Sequence, residues 1–221
     1  MILRLLKRIF IYLVCAGFLS SPALASVDTD LAYWNFVTFN KNLNSKFRAQ
    51  LITSQRWAEQ LSDFNTNLVR TGLGYNLTNE ISIWQGYDWF SFYDGEMTNE
   101  HRIWQQLLYQ KNLGKWLIIN RTRLEERLLE DNDAIVRLRN LSRVDYRLKQ
   151  KLRLIAGAEI FVNLKTNDAI DEILDQNRLL TGIGYDVNSN VAIDLIYMLQ
   201  HNNRDTDSLN HTVVSNLIFS F

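Results

Sequence analysis

The chain has almost none of two residues that usually shape an exported fold, with one cysteine and one proline in 221 positions. The lone Cys15 excludes a disulfide framework and any Cys/His metal site of recognisable spacing. Glycine is also sparse, at nine residues, and no glycine-rich phosphate loop is present. There is no surplus of either charge: 24 basic side chains stand against 24 acidic ones. That balance argues against nucleic acid as a partner, because phosphate binding needs a basic excess. No long apolar run follows residue 25, and the mean hydropathy of −0.17 excludes a bundle of membrane helices. It does not exclude a membrane barrel, whose strands are apolar on one side only.

What is present begins with the two ends. Residues 1–25 read as a signal peptide: Arg4, Lys7 and Arg8 precede the apolar stretch Ile9 to Leu19, and Ala23-Leu24-Ala25 supplies a small-x-small cleavage pattern. Cys15 belongs to that apolar stretch. An uncleaved anchor is the alternative. Cleavage would leave 21 basic against 24 acidic residues, since the segment holds three basic residues and no acids. At the other end Val213, Ser215, Leu217, Phe219 and Phe221 share one face of a strand. Phe219 and Phe221 resemble the C-terminal signal by which outer-membrane barrels are recognised by their insertion machinery.

Between the ends the apolar pattern has period two almost throughout. Over 115–129 one parity reads Trp116, Ile118, Asn120, Thr122, Leu124, Glu126 and Leu128. The other carries Arg121, Arg123, Glu125 and Arg127. A helix would scatter those charges around its axis, whereas a strand gathers them on one face. The same division holds at 136–149. Strands are expected near 31–39, 45–57, 65–77, 81–93, 99–112, 115–129, 136–149, 151–164, 175–187, 191–202 and 209–221. Short turns near 79, 113, 150 and 189 alternate with longer polar loops near 58–64, 94–98, 130–135, 165–174 and 202–208. That asymmetry suits a transmembrane barrel.

The reading is therefore all-β: a single antiparallel transmembrane barrel of about ten strands, with twelve possible, over residues 45–221. Termini on one side of the membrane require an even count, so residues 26–44 form an N-terminal segment whose strand is unplaced. Tyr75, Tyr109, Tyr146 and Tyr185 each stand about three residues before a short turn on the apolar parity, as an interfacial girdle would. A faint repeat at an offset of 110 relates Thr71 to Asn76 with Thr181 to Asp186, and Ile83 and Tyr87 with Ile193 and Tyr197. The glycines of the repeat face inward by parity, where they would make room for bulky neighbours or mark a bend.

The inward parity collects a charge network of Arg70, Asp88, Glu100, Arg102, Arg121, Arg123, Glu125, Arg127, Arg137, Arg139, Glu159 and Arg178. Arg48, Arg56, Arg143, Arg147, Arg153, Asp145, Asp186 and Asp194 share that side. A tight turn at 112–115 sets Arg102 opposite Glu125 and Glu100 opposite Arg127. A turn at Asn79 sets Arg70 opposite Asp88 and Gly74 opposite Trp84. His101, His201 and His211 fall near the outer-loop ends on the apolar parity, with Asp205 and Asp207 close to two of them. No nucleophile motif accompanies them, so no catalytic residue, metal site or cofactor is assigned.

Arg70 to Tyr75 (RTGLGY), Asn99 to Gln106 (NEHRIWQQ), Arg121 to Arg127 (RTRLEER), Glu159 to Asn163 (EIFVN) and Asp175 to Arg178 (DQNR) together resemble a bacterial family catalogued as domain of unknown function number 2490. The resemblance implies an outer-membrane barrel and carries no activity. The partners implied are outer-membrane lipid and lipopolysaccharide in a Gram-negative envelope, and the barrel insertion machinery. Four functional readings stand open. They are a narrow porin-like channel whose positive lumen favours small anionic solutes, a plugged structural or interaction barrel, a rim-site hydrolase, and a periplasmic lipocalin-like binder.

Overall fold

In the computed structural model, residues 28–130, 133–167, 172–203 and 208–221 are described. The expected signal segment, with Cys15, and the acidic pair Asp205 and Asp207 lie outside them. Eleven strands follow in order: β1 (Asp28–Asn42), β2 (Phe47–Ala58), β3 (Asp63–Asn76), β4 (Ile81–Asp94), β5 (Glu96–Leu113), β6 (Trp116–Leu129), β7 (Ile135–Arg147), β8 (Leu152–Lys165), β9 (Leu174–Asp186), β10 (Val191–Asn202) and β11 (Ser208–Ser220). They form one closed barrel in which each strand pairs with its chain neighbours.

The closure corrects the expected even count. Segment 31–39 is the middle of a complete wall strand, so the barrel begins at Asp28 and not at residue 45. β1 runs antiparallel to β2 and parallel to β11, with Asp28 level with Ser208 and Asn40 with Ser220. A parallel closing pair removes the parity requirement, because β1 then starts at the end of the barrel opposite the one where β11 finishes. Side chains fasten this seam. Tyr33 Oη lies 2.7 Å from Ser215 Oγ, Thr38 Oγ1 donates to Asn216 Oδ1 at 2.9 Å, and Phe39 stacks on Phe219 with centroids 5.1 Å apart.

Short turns at one end hold their shape through the residue that opens them. Asn44 Oδ1 accepts from Lys46 N and Phe47 N, Thr78 Oγ1 from Glu80 N and Ile81 N, and Asn188 Oδ1 from Asn190 N and Val191 N, all at 2.8–3.1 Å. These side chains replace hydrogen bonds that the reversed backbone loses. At the other end 58–64 contains three successive residues with positive φ, Glu59, Gln60 and Leu61. The expected 94–98 loop is instead a tight turn at Gly95, whose φ of +74° lets Asp94 pair directly with Glu96.

One register also differs from expectation. β5 and β6 are joined by Gly114 and Lys115, so that Leu113 pairs with Trp116 and the ladder slides by two residues. Gly114 adopts φ +63°, a conformation open to glycine at little cost. Arg102 therefore faces Arg127, and Glu125 faces Trp104. The β3–β4 register is as expected, with Arg70 level with Asp88 and Gly74 with Trp84.

The polarity of the wall is inverted relative to a soluble barrel. Large apolar side chains point outward, among them Leu73, Ile183 and Leu195, exposed by 61%, 48% and 48%. Charged residues fill the interior beside one apolar cluster, in which Ile155, Ile196, Met198 and Val214 pack with Trp34, Phe36 and Leu180.

Candidate functional site

Alternation along β3–β9 brings all twelve of the expected network residues to the inner face, where they form a belt. Asp88 accepts from Arg70 Nε at 2.7 Å and Nη2 at 2.5 Å, and from Trp104 Nε1 at 2.5 Å. Glu100 lies between the two facing arginines: Arg102 Nε and Arg127 Nε each donate to its Oε1 at 2.6 Å. The like-charged pair produced by the register slide is thus held by one carboxylate on a diagonal. Glu125 takes Arg139 Nη1 at 2.6 Å and Arg137 Nη2 at 2.8 Å, with Arg123 Nη1 3.8 Å away. Glu159 takes Arg121 at 2.6 Å, Arg139 at 2.9 Å and Arg178 at 3.4 Å.

Aromatic rings fill the space between the guanidiniums. Arg123 lies 3.9 Å from the Trp104 ring centroid, Arg102 3.8 Å from Phe90, and Arg178 and Arg139 4.4 and 4.5 Å from Phe161. Arginine suits such stacks because its planar cation is weakly hydrated. Trp104 needs room, and paired glycines supply it. Gly72 and Gly86 face one another across β3–β4, and a Cβ on either would meet the Trp104 ring. In the same way a Cβ on Gly74 would lie 2.5 Å from Trp84. The inward glycines of the repeat therefore do make space for bulky neighbours at 72 and 74.

Two features of the interior do not follow from parity: one inward carboxylate, and the division of the charges into two networks. Asp175 is fully buried and accepts from Arg137 Nη1 at 2.6 Å. Its position breaks alternation: Gln176 pairs with Phe161 and Leu174 with Val162, so Asp175 is the extra residue of a bulge. A second, smaller network lies toward the short turns. There Asp145 and Asp194 each bind both Arg143 and Arg153 at 2.5–2.9 Å. Gly184 leaves the gap into which Asp194 and Arg153 enter. Its members share the inner parity, but nothing in their spacing marks the network as separate.

The belt is dense and short of negative charge. Asp88, Trp104 and Glu125 are 0% exposed, and Arg123 is 2% exposed. Eight arginines of the belt share Asp88, Glu100, Glu125, Glu159 and Asp175. Guanidiniums hold their protons at any ordinary pH and so supply charge and donors, not acid–base chemistry.

On the outer surface Tyr75, Tyr109, Tyr146 and Tyr185 lie near the short-turn end. Phe47 meets Tyr75 with centroids 5.1 Å apart, and Trp116 meets Tyr146 at 4.6 Å. A second aromatic row near the opposite end was not anticipated: Tyr33, Trp57, Phe64 and Tyr93 follow one another at 5.4–5.5 Å. Phe219 and Phe221 stack 6.4 Å apart. His101 and His211 also face outward, and each takes a tyrosine hydroxyl at Nδ1: Tyr87 and Tyr197, both at 2.6 Å. These pairs extend the offset-110 repeat from the tyrosines to the histidines. His201 sits on the same outward parity, level with Leu209.

Residues 31–211 match a protein family described as a protein of unknown function, DUF2490. No curated protein matches the chain.

Proposed function

The chain belongs to the DUF2490 family, whose description carries no activity, and from the chemistry of its two faces we propose that it is an outer-membrane barrel sealed inside by its arginine–carboxylate belt. The observation that carries this reading is the inverted polarity. An outer face bearing Leu51, Val69, Leu73, Ile83, Leu107, Leu154, Ile183 and Leu195 is far larger than the apolar patches a soluble monomer tolerates. In a bilayer that face is solvated by lipid, and the aromatic rows near both ends occupy the two interfaces. Strands of 12 to 18 residues exceed the span a tilted strand needs to cross. The lipocalin-like alternative requires the opposite polarity, with the apolar parity inward.

The seal follows from the burial of the belt. A path for water or ions would leave Asp88, Glu125 and Arg123 exposed on the inside, and they are covered. The protein is accordingly a closed structural or interaction barrel and not a passive porin. Its excess of arginine would make any transient opening prefer anions. His101 and His211 carry no catalytic role in this reading, because Nδ1 of each is hydrogen-bonded to a tyrosine hydroxyl and both side chains lie on the outer, apolar face.

Fractionation and conductance test the two halves separately. The expressed chain should sediment with outer membranes and migrate faster on a gel before heating than after. Recovery as a soluble periplasmic protein would overturn the membrane assignment. In planar bilayers the wild type should give no steady conductance, and a stable ohmic current would overturn the seal.

A further inference from the structure

A cavity of about 350 Å³ opens at the short-turn end, away from the belt, with Asn42, Arg48, Asn76, Ser82 and Gln110 among its walls. We propose that this cavity binds an oxyanion, a carboxylate or a phosphate group, with Arg48 as its cation. Arg48 is fixed on β2 before any ligand arrives. Its Nη2 donates to Ser82 Oγ at 2.7 Å, and its guanidinium carbon lies 4.9 Å from the Trp84 ring centroid. Trp84 Nε1 donates to the same Ser82 Oγ at 2.9 Å, and the ring rests against Gly74.

Arg48 is set apart by what it lacks. Among the described residues, every arginine of the belt and of the second network has a carboxylate within 4 Å, and Arg48 has none. Its Nε is buried without a hydrogen-bond partner. Arg56 also lacks a carboxylate, but it is enclosed by rings, with Trp34 at 4.0 Å and Phe90 at 5.4 Å. Arg48 instead borders open space. Glu80 shares the cavity wall, and its charge is met by Lys111 Nζ at 2.8 Å. A guanidinium with free donors matches the paired oxygens of a carboxylate or phosphate. The amides of Asn42, Asn76 and Gln110 can serve the remaining oxygens. The site is separate from the seal and does not depend on which solvent surrounds the barrel.

The test uses the full chain folded in detergent, titrated with inorganic phosphate and, separately, with acetate, and followed by calorimetry. Saturable binding of at least one anion is expected. Arg48→Gln should weaken it at least tenfold, and Arg48→Lys should weaken it less, keeping charge but losing the fork. Arg56→Gln should leave it unchanged. Asn42→Asp provides a second route, because it places a carboxylate in the cavity to occupy Arg48 and should also cost at least tenfold. Gel migration before heating reports that each variant is folded. Absence of saturable binding for both anions, wild-type affinity in folded Arg48→Gln or Asn42→Asp, or loss of binding in Arg56→Gln would each overturn the proposal.

Discussion

Replacing Glu125 with glutamine is the sharpest test of whether the belt is a dry plug. The carboxylate is fully covered, receives Arg139 at 2.6 Å and Arg137 at 2.8 Å, and has Arg123 at 3.8 Å. Glutamine keeps the volume and removes the charge. Arg139 retains Glu159, and Arg137 retains Asp175, but Arg123 loses the only carboxylate within 4 Å of it among the described residues. Breaking a buried ion pair by removing one partner costs about 3–5 kcal/mol, most of it the desolvation of the charge left behind. For a chain of this size about 1 kcal/mol corresponds to about 2–4 °C in melting temperature. The expected loss is therefore about 6–20 °C, read as the temperature at which half the protein leaves the fast-migrating folded form.

Two companions make the result interpretable. Glu80→Gln breaks the Glu80–Lys111 pair, whose side chains are about two-fifths exposed, and should leave the melting temperature unchanged. Arg123→Gln added to Glu125→Gln removes the stranded cation and should restore part of the loss, although it also removes the stack on Trp104. A shift below about 2 °C for Glu125→Gln would mean that water reaches the belt and shields it. The sealed-barrel reasoning would then fail even if the protein proved to be an outer-membrane barrel.

Other outcomes follow from single features. Trp104→Ala empties the space over Gly72 and Gly86 and should produce intermittent, anion-preferring current in planar bilayers where the wild type is silent. Gly86→Ala should destabilise by about 1–3 kcal/mol, because its Cβ meets both the Trp104 ring and the Thr71 carbonyl oxygen. Gly184→Ala should cost less, since the atoms it meets are side-chain ends of Asp194 and Arg153 and not backbone; thermal melting separates the two. Val37→Cys with Leu217→Cys should oxidise to a disulfide, because the two are level across the parallel seam, whereas Val37→Cys with Val213→Cys should not. Cys15 is the one cysteine of the sequence, so the described residues hold no competing thiol. Tyr87→Phe and Tyr197→Phe should lower stability by equal amounts of about 0.5–1.5 kcal/mol, given their matched 2.6 Å bonds to His101 and His211; unequal losses would separate the two halves of the repeat.

Strand positions were legible in the sequence because alternation is a local property, and each strand of the chain carries its own two-sided pattern. The identity of the inward charges followed from the same parity. Pairing was harder to read, since it depends on the turn and not on the strand. At Asn79 the turn matched its simplest reading and Arg70 met Asp88; at Gly114 a shift of two residues was enough to set Arg102 against Arg127. Asp175 was hidden for a related reason, because a bulge reverses the face of a residue without altering the pattern around it. Trp104 could have been found: it shares the parity of Arg102 and Gln106, and the facing glycines at 72 and 86 announce a large neighbour. The Tyr–His pairs could also have been found by extending the offset of 110 from Tyr87 and Tyr197 to His101 and His211.

The seam explains how a barrel without disulfides tolerates an odd number of strands. A sheet that ended at β2 and β11 would leave two unpaired edges, or force those strands together in a register that the short turns already fix. β1 fills the gap because its outward residues, Tyr33, Val37 and Phe39, match the apolar outer face, while Ala32, Trp34, Phe36 and Thr38 face in. Its inward half also completes the interior: Trp34 and Phe36 pack on the apolar cluster, and Trp34 receives both Arg56 at 4.0 Å and Arg178 at 5.1 Å. A strand that only covered an edge would not need that inner chemistry. Removing β1 would thus expose two sheet edges and leave Arg56 without its nearest ring, so closure of the wall and filling of the interior depend on the same fifteen residues.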